Sequence, residues 1–267
     1  MRAAGYRNLA TDVQYVHRIG NDQYAAGTVP DCAALQFAPQ SAFAMFILVK
    51  LASPLEQGYL FGKTSNQNGG GPCLYIDGQL KTVALGGLTG LSYLDAVAPV
   101  RGDEMTEWLA LGINVNAVAA GGGQAQIFKN GRYAYDSCGC VNFSVPATVG
   151  LDYAIGNRAA MPDSATTECD MLVARHGIWN RCLSLAEWQQ MAAGATVANT
   201  SLANGMLADY WFQEGTGSTQ VLNRAPNAAT SGVGDYVVGQ QSEWWQTAPG
   251  RYPSAAPSRR RTVLVKC

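Results

Sequence analysis

The chain has 267 residues, of which 48% are hydrophobic and only 14% charged, and Lys+Arg 18 against Asp+Glu 19 leave a formal net charge of -1. That balance supplies no basic footprint for phosphate recognition, which excludes a nucleic-acid partner from the reading. No apolar run approaches the ~18–20 residues of a membrane-spanning helix, so no membrane insertion is expected, while Gly 30 and Pro 11 imply many turns.

In chain order, residues 1–29 read as an N-terminal arm. Their opening, Met1-Arg2-Ala3-Ala4-Gly5, leads into no apolar h-region, so a secretory signal is not expected. The core is expected over 30–195. Candidate strands are Ala42–Leu51, Gly58–Lys63, Cys73–Asp77, Gln79–Leu85, Glu107–Asn114, Gln124–Lys129, Arg132–Asp136, Tyr153–Asn157, Asp170–Trp179 and Met206–Gln213. Several are near-continuous apolar runs, as expected where both faces of a sheet are covered. Asp77-Gly78 and Asn130-Gly131 each supply the positive φ values of a type I′ turn and predict two tight antiparallel hairpins. The second hairpin places Gln124, Gln126 and Phe128 on one face, with Ala125, Ile127 and Lys129 on the other.

One helix stands out. Ser184 followed by Glu187 fits a capping box, Leu183 can staple onto Trp188, and Leu185, Trp188 and Ala192 form an apolar stripe that Gly194 terminates. This predicts a short helix near 184–193 on a sheet edge or end. Residues 196–248 then add a strand to the core, and the basic, Pro-containing stretch 249–267 reads as an extended C-terminal arm. The pattern predicts an all-β, two-sheet sandwich.

The segment Asp170–Gly194, with Ile178-Trp179-Asn180-Arg181, Leu183-Ser184 and Glu187, resembles the closing motif of laminin G-like, concanavalin A-like jelly rolls. Trp108-Leu109-Ala110-Leu111, the hairpin at Phe128–Gly131 and Tyr153-Ala154-Ile155-Gly156-Asn157 match that family's order upstream. Asp209–Gly215 resembles the Trp-containing strand that opens such domains, yet here it follows the helix. This arrangement resembles bacteriophage structural proteins. The resemblance implies a non-enzymatic virion protein made in the host cytoplasm: a tail-tip, fibre or baseplate component with a host-surface or glycan-binding jelly roll. It would contact other virion proteins and form a homo-oligomer, such as a trimer. A capsid decoration protein and a glycan-processing enzyme are the alternatives.

The chemistry the residues offer is sparse. Glycoside hydrolysis needs two carboxylates facing one cleft. The densest acidic cluster, Asp103, Glu104 and Glu107, reads instead as a solvated turn, with Glu104 and Glu107 at odd spacing. His17 and His176 lie far apart in sequence, and His176 reads as a hydrogen-bonded histidine in or near the core. The seven cysteines, Cys138 and Cys140 being the one close pair, read as reduced thiols rather than metal ligands. No catalytic residue and no cofactor is expected. The resemblance implies one further option, calcium held by Asp152, Asp163 and Asp170 around the Gly156–Thr167 loop. For sugar binding the candidates are Trp244, Trp245, Tyr93 and Tyr252, the tandem tryptophans reading equally as a subunit contact.

Overall fold

The computed structural model describes residues 15–19, 27–37, 41–65, 70–91, 96–117, 123–137, 143–157, 169–197, 200–214, 218–238 and 245–247, with 15–19 and 245–247 described as backbone only. In chain order the elements are β1 (Tyr15–Ile19), β2 (Thr28–Val29), β3 (Ala42–Leu51), β4 (Gln57–Gly62), β5 (Cys73–Asp77), β6 (Thr82–Gly86), β7 (Val97–Pro99) and α1 (Gly102–Met105). They continue as β8 (Leu109–Asn116), β9 (Gln124–Lys129), β10 (Arg132–Asp136), β11 (Tyr153–Ile155), β12 (Met171–Trp179) and α2 (Leu185–Ala192). The last are β13 (Met206–Trp211), β14 (Gln220–Val221), α3 (Ala228–Ser231), β15 (Tyr236–Val237) and β16 (Trp245–Thr247).

The strands form two sheets. The first runs β10-β9-β8-β3-β12-β1-β16, with β13 also paired to β12, and the second runs β14-β15-β2-β11-β4-β5-β6-β7. All their strand pairs are antiparallel. The predicted jelly-roll sandwich is therefore the observed fold.

β3 shows why its sequence is apolar throughout. Phe43, Met45, Ile47 and Val49 face the core between the sheets, where they meet Leu60, Leu74, Ile76 and Leu85 of the second sheet. Ala44, Phe46 and Leu48 face the other way into a second cluster, built with Trp188 and Met191 of α2 and with Leu202. A strand buried on both faces cannot alternate apolar with polar residues.

α2 therefore lies on the outer face of the first sheet, and the expectation of an edge or end position is corrected. Its cap is as predicted: Glu187 N–H donates to Ser184 Oγ at 3.3 Å, and Ser184 N–H donates to Glu187 Oε2 at 2.8 Å. The buried stripe is Trp188 with Met191, whereas Leu185 is an exposed residue. The sheet, rather than the staple alone, selects which side of the helix is covered.

Arg181 donates to both Glu187 oxygens, at 3.0 and 2.7 Å. This bond, more than the opposing burial, pulls the Glu187 carboxyl from 4.5 down to about 2. Because the folded value is depressed, the stabilisation is fully present above about 4.5 and is lost as pH falls toward 2. Glu187→Gln is expected to lose on the order of 1–2 kcal/mol at neutral pH. Denaturant midpoints of the two proteins should converge as the pH approaches 2.

Two further expectations are revised. The Asp77-Gly78 hairpin exists, but Asp77 pairs with Thr82, so its loop has four residues instead of two. Asp77 Oδ1 accepts the Leu80 N–H at 2.9 Å, and the positive φ falls on Lys81, at 55°. Glycine is needed at 78 for closeness, since a Cβ there would sit 2.6 Å from Leu55 Cα. The stretch expected as an N-terminal arm supplies β1 and β2, which pair in the two sheets. Short strands of mixed composition carry little periodicity from which to be read. The segment after α2 adds β13 and β16 to the first sheet and β14 and β15 to the second. Residues 249–267 lie outside the described residues.

Candidate functional site

Tyr133 is the one exposed aromatic ring among the described residues, at 50%. It stands on the β9–β10 hairpin, whose turn is the predicted type I′ pair, Asn130 at φ 51° and Gly131 at φ 73°. The register opens with Arg132 opposite Lys129 and Tyr133 opposite Phe128, then slips so that Tyr135 pairs with Ile127 and Asp136 with Gln126. Regular pairing would have set Tyr135 against Gln126. The extra residue, a β-bulge on the sheet edge, turns Asp136 to the outer face beside Tyr133.

The ring is held from behind. Tyr133 packs on Phe128 at 4.7 Å between centroids, and Phe128 stacks on Trp188 at 4.5 Å with an interplanar angle of 15°. Beside the rings runs a row of amides. Gln124 Nε2 and Gln126 Nε2 donate to the two oxygens of Asp136 at 3.1 and 3.0 Å. Asn114 Nδ2 donates to Gln126 Oε1 at 3.1 Å and to the Leu183 carbonyl at 2.8 Å, while Asn114 Oδ1 accepts the Leu183 N–H. Both Asn114 donor hydrogens are thus used, and the row is anchored at the start of α2. The result is a fixed apolar plate flanked by a carboxylate and an amide with further donor and acceptor capacity. Such a pairing suits one apolar sugar face and its neighbouring hydroxyls.

The residues singled out from sequence fall elsewhere. Tyr93, Trp244, Tyr252 and Asp163 lie outside the described residues, and Trp245 is described only as β16 backbone opposite His17. Asp152 accepts the Asp31 N–H at 2.9 Å just before β11. Asp170 is reached from the other end of β11, because the Cys169 N–H donates to the Gly156 carbonyl. Asp170 N–H itself donates to Glu56 at 3.2 Å. Asp152 and Gly156 are four residues apart, about 13 Å of strand at ~3.3 Å each, so Asp152 and Asp170 are not brought together. Among the described residues no group of three or more His, Cys, Asp or Glu is placed to hold a metal ion.

Asp103 and Glu104 of the acidic cluster lie on a short helical turn, α1, and Glu107 follows it. Burial pushes the Glu104 carboxyl up, but a 2.8 Å bond from Lys129 and further donors outweigh it and hold it below the usual value. Glu107 is exposed, and Asp103 sits 3.4 Å from Arg101. His176 is fully buried, as expected, with Nε2 2.8 Å from Tyr153 Oη and Phe61 beside it. Burial pushes its imidazole down to about 3. It is a neutral core residue. Cys32, Cys73, Cys169 and Cys182 are not in disulfides, and burial raises Cys73 to about 12 and Cys182 to about 11. Cys138 and Cys140 lie outside the described residues.

Comparison with known proteins places this geometry in a fold class. No family model matches the chain, and no curated protein matches it. A solved structure of a candidate carbohydrate-binding protein from Bacteroides ovatus aligns at TM-score 0.60 and 13% identity, covering 90% of this chain and 61% of that one. The chain thus spans less than two thirds of that protein's length. Weaker likenesses include the heptameric SAP-like pentraxin of Limulus polyphemus (TM-score 0.45, 17% identity, 73% of this chain and 86% of that one). Another is the CBM40 of the Ruminococcus gnavus IT-sialidase (TM-score 0.39, 14% identity, 67% of this chain and 98% of that one). At 13% identity the likeness to the Bacteroides ovatus protein is one of fold alone, a jelly-roll sandwich.

Proposed function

We propose that the protein is a non-catalytic glycan-binding jelly roll whose binding surface is the outer face of the β9–β10 hairpin. One observation carries the reading: an exposed ring at Tyr133, backed by Phe128 and Trp188, lies beside a carboxylate that two glutamine amides hold in place. The fold shared with the Bacteroides ovatus protein supports it. Glu104, the member of the acidic cluster paired to Lys129, supports a binding role over hydrolysis.

Titration of the purified protein against a panel of polysaccharides and lipopolysaccharides should show saturable binding. Tyr133→Ala should weaken it about tenfold or more, equivalent to ~1.4 kcal/mol, with the unfolding midpoint nearly unchanged because the ring is half exposed. Absence of binding across the panel would reject the reading. Turnover of a polysaccharide abolished by Glu104→Gln or Glu107→Gln would replace it with an enzyme.

The setting we propose is a bacteriophage particle, with the jelly roll on a tail tip, fibre or baseplate and other virion proteins at its ends. This rests on the arrangement of the two jelly-roll-like segments, 209–215 following 170–194, which resembles that of bacteriophage structural proteins. A density map locating the chain on a tail would support it, and a capsid-surface position would favour the decoration role instead. Solution mass of the intact protein reports whether the expected homo-oligomer forms and whether it is a trimer.

A further inference from the structure

At one rim of the second sheet a lysine is fully buried. Lys63 directly follows β4 and is 0% exposed, and among the described residues its ammonium has one partner, Asp31 Oδ1. Asp31 follows β2, and β11 lies between β2 and β4, so the contact reaches across a strand. An ammonium has three N–H donors and a full charge, and burying it against a single acceptor leaves donors unpaired in a poor solvent for charge. An amide nitrogen at the same place has one hydrogen and no charge.

The two oxygens of Asp31 are treated differently. Oδ2 accepts the Gly150 N–H at 2.7 Å and Gln36 Nε2 at 3.1 Å. Oδ1 touches only Lys63 among the described residues. Asp152 pins the Asp31 main chain through its N–H at 2.9 Å. Two donors on one oxygen polarise the carboxyl carbon and would stabilise the charge that develops on that oxygen under nucleophilic attack. The other oxygen is left free to depart.

We propose that Lys63 and Asp31 form an intramolecular isopeptide cross-link. Within the hydrogen-bonded pair, a proton passes from Lys63 Nζ to Asp31 Oδ1, giving a neutral amine and a neutral carboxyl. Nζ attacks Cγ, a C–N bond forms, the Cγ–Oδ1 bond breaks, and Oδ1 leaves as water with a second amine proton. Ammonium plus carboxylate thus become amide plus water, with no oxidant or co-reactant. Oδ2 remains as the amide carbonyl and keeps both donors. Asp31 is partly exposed, at 18%, which lets the water escape. The link would staple the two-residue β2 to β4 and remove conformations from the unfolded chain, as a disulfide does. It is independent of the glycan-binding reading.

The test is the intact mass of the whole purified chain under denaturing conditions. The cross-linked protein is lighter than its sequence by one water, Lys63→Arg and Asp31→Ala carry full mass, and digestion yields a branched peptide joining the Asp31 and Lys63 segments. Asp31→Asn should lose one ammonia instead. Full sequence mass in the wild type overturns the proposal, and that measurement needs no variant to fold. A water loss that persists in Lys63→Arg also overturns it, because cyclisation at Asp77-Gly78 would account for the same mass.

Discussion

Asp209→Ala is expected to destabilise the protein by about 3–5 kcal/mol, the range for stripping one partner from a buried ion pair. Arg175 and Asp209 have side chains only 1% and 4% exposed. The guanidinium donates through Nε and NH2 to the two carboxylate oxygens at 2.7 and 2.9 Å, and through NH1 to the Ala195 carbonyl at 2.7 Å. It also lies 4.3 Å from the centroid of Trp211, whose Nε1 donates to Asp209 Oδ2. Removing the carboxylate leaves a buried cation and an indole N–H without their acceptor. The pair itself adds little over an apolar substitute, since desolvation offsets most of its attraction. Arg175→Met combined with Asp209→Leu should therefore cost clearly less than Asp209→Ala alone. Guanidinium denaturation with an unchanged m-value would establish both results, and equal losses in the single and double variants would refute the account.

Trp188→Ala should cost about 3–5 kcal/mol as a large-to-small change in a packed cluster, and it should also weaken the glycan binding proposed for Tyr133. The ring fills the space between α2 and the first sheet, stacked on Phe128 and 6.3 Å from Phe46. Glycine at 112 makes that room, because a Cβ there would meet the Trp188 ring at 2.2 Å. Without Trp188, Phe128 loses its backing and Tyr133 loses its fixed orientation. Trp188→Phe should retain most of both properties, since the Trp188 Nε1 hydrogen has no partner among the described residues and only ring area is given up. Parallel denaturation and glycan titration of the two variants test the chain of rings from helix to surface. Wild-type affinity in Trp188→Ala would show that Tyr133 does not depend on it.

Much of the fold was legible because its signals are local. The spans of β3 and β5 come directly from apolar runs between turn residues, those of β9 and β10 from the Asn130-Gly131 turn between them, and the α2 cap from Ser184 and Glu187. The candidate site was half legible. Alternation put Gln124, Gln126 and Phe128 on one face, but it gave no reason to add Tyr133 and Asp136. The aromatics favoured from sequence, Trp244, Trp245, Tyr93 and Tyr252, were chosen by residue type and neighbours, which do not report exposure.

What the linear order of residues determined by itself is the class of structure: two antiparallel layers, one capped helix and a core histidine. Periodicity, capping and turn chemistry act within a few residues and need no partner. What only the tertiary structure decided is which side chains share a face. In β12 the register shifts between Val173 and Arg175. Ala174 therefore joins the outer cluster while His176 reaches Phe61 and Tyr153 in the core, and Arg175 turns outward to Asp209. In β10 the slip between Tyr133 and Tyr135 likewise brings Asp136 onto the outer face. A single extra residue reverses the parity of everything after it, and its position depends on hydrogen bonding to a neighbouring strand distant in sequence or across a turn.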